Sequence, residues 1–137
     1  MMTVIRASVP MLPAMGILKV IVEAEHPARR STRAPGVMAM VDTGSAFTWL
    51  PRALLEGLGL EAERMERFPM ADGSLLERPI CFAVIHVAGT STFDHVVFGE
   101  PGDLVLLGAR TLAGLNLRVD LEAKRLVAAG PVVVAAA

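Results

Sequence analysis

Apolar residues come in short bursts along this chain, and nearly every burst ends at glycine, proline or aspartate. Gly16–Ala24, Val37–Val41, Ser45–Leu50, Ile80–Val87, Thr92–Phe98 and Leu104–Gly108 are too short for ordinary helices and read as strands. Val37–Val41 has no polar position, so it reads as a buried strand. Between the bursts the chain turns. Glu25–Gly36 is a polar loop with Pro27, three arginines and Pro35-Gly36. Phe68–Glu77 reads as a hairpin in which Asp72-Gly73 supplies the positive-φ positions. Ala88–Ser91 is a turn, Gly99–Asp103 a loop, and Leu117–Val127 a last hairpin. Two helices interrupt the pattern: Arg52–Leu58, with Pro51 at its first position and Gly59 just past its end, and Ala109–Leu115. Met1–Pro13, with Pro10 and Pro13, suits an edge segment or an arm. Many short strands with two short helices predict an all-β, barrel-like domain.

Composition narrows the classes. At 137 residues the chain is a single domain over 1–137, with a core of about 16–127 and terminal arms at 1–13 and 131–137. It is 53% hydrophobic and 20% charged, which suits a packed fold rather than a disordered one. A net charge of −1, with no basic stripe among aromatics, gives no footprint for nucleic acid. One cysteine, Cys81, precludes an internal disulfide and fits a reducing compartment. No stretch is apolar for the length a bilayer span needs, and Met1–Val20 is broken by Pro10, Pro13 and Gly16, unlike a signal peptide. A soluble, cytoplasmic protein with no membrane partner is expected.

One stretch carries chemistry. The strand Val37–Val41 delivers a lone carboxylate, Asp42, into Thr43-Gly44-Ser45. A carboxylate placed there is costly unless hydrogen bonds hold it or a reaction uses it. A strand-ending Asp-Gly turn is the structural reading of the same residues.

Three features share one order: Asp42-Thr43-Gly44-Ser45 after an apolar strand, the Asp72-Gly73 hairpin, and Leu106-Leu107-Gly108 before a short helix. With Leu50-Pro51, a helix and Leu58-Gly59-Leu60 between the first two, the series resembles the retropepsin-like aspartic proteases from about Gly16 to Val127. The resemblance implies a closed barrel with one lobe per chain, paired as a two-fold homodimer, cleaving a peptide or protein substrate. It makes Asp42 the catalytic aspartate. Thr43 would hold the paired loops across the axis, and Gly44 would admit the substrate backbone, with Ser45 beside it. Ala71, Asp72, Gly73 and Ser74 become the flap tip over the substrate, and Leu106-Leu107-Gly108 the support behind the catalytic loop. No cofactor or metal is implied. With one Asp-Thr-Gly per chain, the second carboxylate must be Asp42 of another copy. A non-catalytic dimer of the same fold that binds a peptide or protein is the alternative. The chain departs from the family at two places. The hairpin has only Gly73 where retroviral flaps are glycine-rich. Ala46 stands where those enzymes carry an aspartate for an arginine of the following helix, which leaves Arg110 without its usual partner.

Other chemistry-bearing residues have plainer readings. Cys81 and His86 differ by an odd number on one strand, so with Asp94 and His95 they make no metal set. Cys81 belongs to the core, and the two histidines to paired strands. Phe47 and Phe68 are packing residues or the lining of a substrate pocket. Glu61–Arg67 is a solvated charge run, and Asp103 and Asp120 are loop and turn residues.

Overall fold

The structure, a computed structural model, describes residues 17–131. The expectations for Met1–Pro13 and for Val132–Ala137 lie outside the described residues. In chain order the elements are β1 (Lys19–His26), β2 (Arg29–Arg33), β3 (Val37–Asp42), β4 (Thr48–Pro51), α1 (Arg52–Gly57), β5 (Arg64–Pro69), β6 (Leu75–Val87), β7 (Thr90–Gly99), β8 (Leu106–Gly108), α2 (Ala109–Gly114), β9 (Leu117–Asp120) and β10 (Arg125–Ala128). The fold is therefore mainly β with two short helices, as the punctuation predicts. Among the described residues no helix is long and apolar enough to cross a membrane.

Six strands pair in a closed cycle. The first half of β1 pairs antiparallel with β3 (Lys19↔Met40 to Val22↔Val37), and its second half with β6 (Glu23↔His86 to Glu25↔Val84). From β3 the cycle continues to β8 in parallel and to β4 through Trp49↔Leu106. It then runs to β7 in parallel and back to β6 antiparallel. A separate hairpin, β9–β10, follows α2. Strand alternation sorts the side chains. On β6, Cys81, Ala83, Ile85 and Val87 enter a core that also takes Val22, Leu50, Phe98 and Leu107, and the helices add Leu55 and Leu112. Each large apolar side chain buried there contributes about 1.5–3 kcal/mol. Burial also pushes the Cys81 thiol up to about 12.

Turn chemistry explains the joints. Ala88 and Gly89 both have positive φ, giving the tight turn between β6 and β7 that matches strand twist. After α1 the chain reverses at Gly59 (φ +81°), where Gly59 N–H bonds Glu56 O at 2.9 Å and Leu60 N–H bonds Leu55 O at 3.1 Å. Asp120 Oδ1 accepts the Glu122 and Ala123 amides, which is the turn role expected of it.

Five expectations need correction. Val37–Val41 is not buried on both faces: Ala39 and Val41 are, but Met38 is 52% exposed. Pro51 is the N-cap of α1 rather than its first residue. The β5–β6 turn spans Met70–Ser74 and only Gly73 has positive φ, because Asp72 instead caps the turn by accepting the Ser74 amide and hydroxyl. Glu25–Gly36 contains a strand, β2, which has no apolar residue to announce it. Complementary charge holds it to β1, with Arg33–Glu23 at 2.8 Å and Arg30–Glu25 at 2.9 Å. The charge run Glu61–Arg67 is exposed at most positions, but its second half belongs to β5. Where β1 meets β6, His86 Nε2 lies 2.8 Å from the buried Glu25, and this hydrogen bond chiefly holds the Glu25 carboxyl below the usual carboxylate range.

Candidate active site

Asp42 ends β3 on a turn that its own side chain closes. Oδ1 accepts the Gly44 amide at 2.9 Å, and the Ser45 amide donates to Asp42 O at 3.1 Å. Asp42 is half-buried, Thr43 and Gly44 are exposed, and Ser45 is buried beneath them. The structure therefore brings Asp42, Thr43, Gly44 and Ser45 together on one loop.

Behind that loop the packing leaves little freedom. Parallel pairing sets Asp42 beside Gly108. A Cβ on Gly108 would collide with the Phe47 carbonyl and meet Ser45 O at 2.9 Å, so only glycine fits. The start of α2 docks on the same segment, with Ala109 N–H to Ser45 O at 2.7 Å and Arg110 N–H to Ala46 O at 3.1 Å.

A buried polar chain anchors this contact, and its proton directions can be assigned. Asp94, as a carboxylate, can only accept, so Thr111 Oγ1–H donates to Asp94 Oδ2 at 2.9 Å. Thr48 must then donate across the 2.6 Å contact to Thr111, and it accepts the Gly108 amide at 2.9 Å. Thr48 and Thr111 are fully buried and Asp94 is 7% exposed, so each bond is made out of water. Asp94 Oδ1 accepts the His95 amide at 2.7 Å and lies 3.6 Å from Arg110 Nη2. Arg110 thus faces a carboxylate of β7 in place of the one missing at Ala46. Sequence reasoning missed Thr48, Thr111 and Asp94. The signal was there in a threonine inside an apolar strand and an arginine short of a partner.

The opposite face of the sheet carries a second apolar layer. Ile80, Val97 and Leu106 are buried yet stand apart from the main core. The registers Ile80↔Val97, Trp49↔Val97 and Trp49↔Leu106 put them on one face with Trp49. Leu106 is also paired with Met40, two residues before Asp42, so this layer runs up to the Asp42 loop. His95 continues it beside Phe47, with ring centroids 6.3 Å apart, and stacks on Phe82 at 4.2 Å. Among the described residues, His95 Nδ1 is buried without a hydrogen-bond partner. The Arg110 guanidinium lies 5.3 Å from the Phe47 ring centroid, at the rim.

Over this layer comes the arm formed by β5 and the first half of β6. Phe68 of β5 lies 5.7 Å from Phe47, edge to face, and 4.9 Å from Trp49. Such pairs contribute about 0.5–1.5 kcal/mol beyond the area they bury. Of the arm's other apolar side chains, Met65 and Leu75 are in solvent, 56% and 57% exposed, while Leu76, paired with Phe68, is half-buried. Its base is fixed by a two-point ion pair, Arg78 Nε and Nη2 to the Asp103 carboxylate at 2.8 and 3.1 Å. Burial alone would raise the Asp103 pKa, but Arg78 and the Glu100 amide outweigh it and the pKa is lowered. Asp103 is thus more than a loop residue. Ala71, Asp72, Gly73 and Ser74 stand exposed at the tip, where the Ser74 side-chain hydrogen bond chiefly lowers the Asp72 pKa. The arm meets the Asp42 segment through Phe68 on Phe47.

Among the described residues no three His, Cys, Asp or Glu side chains are grouped to hold a metal ion. No known protein family and no curated protein matches the chain. Among solved structures it is similar to the Simian Foamy Virus (mac) protease, known from a solution structure. Identity is 22%, covering 68% of this chain and 91% of that one, with a TM-score of 0.46.

Proposed function

We propose that two copies of this chain form an aspartic endopeptidase, each giving one Asp42 to a shared site. Two carboxylates across a two-fold axis cannot both ionise at close range, so one stays protonated. The ionised one takes a proton from a water, whose oxygen attacks the peptide carbonyl carbon. The protonated one gives its proton to the carbonyl oxygen, making a tetrahedral diol. The carboxyl that took the water's proton then passes it to the peptide nitrogen, the C–N bond breaks, and a diol proton returns to the other carboxylate. Thr43 steadies the paired loops, Gly44 faces the substrate backbone, and Ala71–Ser74 cover it. Ser45, buried with its hydroxyl donating to Phe47 O, supports the turn from beneath rather than touching substrate. The observation that carries this reading is the setting of Asp42. A backbone locked from behind presents the carboxylate on an exposed turn, at the end of an apolar layer roofed by a hairpin arm. A lone buried cysteine suits a reducing, cytoplasmic setting.

The test is cleavage of a diverse peptide library from acidic to neutral pH by wild type and Asp42→Asn. Cleavage that vanishes in the variant supports the proposal, and equal cleavage by both contradicts it. The second reading, a peptide-binding dimer without catalysis, is favoured by one detail: Asp42 Oδ1 already caps the Gly44 amide and needs no further task. Peptide binding that survives Asp42→Asn, with no cleavage by wild type, would select that reading.

A further inference from the structure

The layer that leads from Asp42 to Trp49 is out of solvent in the free chain, and at its Trp49 end the ring packed on it is Phe68 of the arm. Ile80 and Val97 have no exposure and Leu106 has 3%, although they lie outside the main core. Phe68 sits on this layer's Trp49 and on Phe47. Among the described residues it is the arm residue in aromatic contact with the body. The arm's ion pairs, Arg64–Glu66 and Arg67–Glu77, join arm residues to each other and hold nothing down. Arg78–Asp103 pins the base. The arm is therefore fixed at one end and clasped by one ring near the other.

We propose that Phe68 is a latch, closing the arm over the Asp42 cleft in the free chain, and that a bound peptide works by lifting this ring off Trp49. The inference rests on the reading that the cleft takes a peptide. The site that Phe68 vacates is flanked by Phe47 and Trp49, with the unpaired His95 Nδ1 beside Phe47. It therefore suits a peptide that brings a flat apolar side chain together with a backbone amide for the imidazole. Phe68 thereby selects which peptides enter, because a side chain that packs poorly on Trp49 and Phe47 cannot replace it.

The chain carries its own reporter. Trp49 is the one tryptophan and there is no tyrosine, so intrinsic fluorescence excited at the red edge comes from Trp49 alone. The experiment compares acrylamide quenching of Trp49 in wild type, Phe68→Ala, Phe68→Leu and Met65→Ala, with far-UV circular dichroism confirming the fold. Met65 is the control because it lies on the same strand with its side chain in solvent. Quenching is expected to rise about two-fold or more in Phe68→Ala and less in Phe68→Leu, with a red-shifted emission, and to stay unchanged in Met65→Ala. Equal quenching in wild type and both Phe68 variants would overturn the latch, as would a rise of equal size in Met65→Ala. None of these readouts needs cleavage, so failure of the latch and failure of the peptidase reading are told apart. For peptides that wild type cleaves, Phe68→Ala should lower the preference for a phenylalanine over an alanine peptide several-fold. An unchanged preference would also count against the latch.

Discussion

The two sides of the Asp42 loop are built on opposite principles. Behind it, Gly108 is wedged against Phe47 and Ser45, and a chain of buried hydrogen bonds runs from Gly108 through Thr48 and Thr111 to Asp94. In front of it, the β5–β6 arm has an exposed tip, solvated charges and one aromatic ring, Phe68, packed on Phe47 and Trp49 near its free end. The rear cannot move without stranding a buried polar group, while the front can move by giving up the packing of Phe68 and of its half-buried neighbour Leu76. Such a division suits a site whose reacting carboxylate must stay fixed while its cover opens. Local stability within one small domain can differ in this way because it follows buried contacts and satisfied hydrogen bonds.

Substitutions can break the contrast from the rear forwards. The largest effect is expected from Gly108→Ala, which drives a methyl into the Phe47 carbonyl and should destabilise the fold by about 3 kcal/mol or more. Urea denaturation would measure this, and a loss under about 1 kcal/mol would mean that the rear is softer than described. Thr111→Val keeps the side-chain shape but leaves Asp94 Oδ2 without its donor and the Thr48 O–H without its acceptor, while Thr48 still accepts the Gly108 amide. A loss of about 1–3 kcal/mol in the same assay is expected. A change near zero would show that water replaces the threonine, so that this chain is not a rigid anchor.

The arm's base gives a smaller, pH-dependent effect. Asp103 has a lowered pKa in the folded chain, so its pair with Arg78 stabilises the fold above the unfolded Asp value of about 3.9. That contribution fades as pH falls from there through the folded value. Asp103→Asn should cost about 1 kcal/mol at neutral pH, and the gap to wild type should narrow below about pH 4. Hydrogen exchange of the β5–β6 amides at neutral pH should quicken more than that of the ring strands. A uniform change across both would show that the arm does not move separately.

Most of the scaffold was legible in the sequence because β-branched runs cut by turn residues are strong local signals. β3, β6, β7, β8 and both helices fall where the pattern puts them, within a few residues. What failed was structure without apolar markers. β2 reads as a loop because it has no apolar residue, and what holds it is charge pairing with Glu23 and Glu25 of the preceding strand, which an apolar pattern does not register. β5 was hidden by its charges for the same reason. The Asp42 loop stood out in the sequence, but its anchor did not. Thr48, Asp94 and Thr111 meet across 17 to 63 residues of chain, and spacing along the sequence says nothing about such a meeting. The absent partner at Ala46 was visible, but its replacement by Asp94 depends on how β7 packs against α2.

The central claim is that one working site needs Asp42 from two chains, and mixing tests it most directly. Wild type is equilibrated with an equal amount of Asp42→Asn under conditions where subunits exchange, and peptide cleavage per wild-type chain is measured. A shared dyad predicts a fall to about half, because half of the wild-type chains are then paired with a variant partner. Activity per wild-type chain that stays constant, with exchange confirmed by mass labelling, would mean that each chain works alone and would contradict the account.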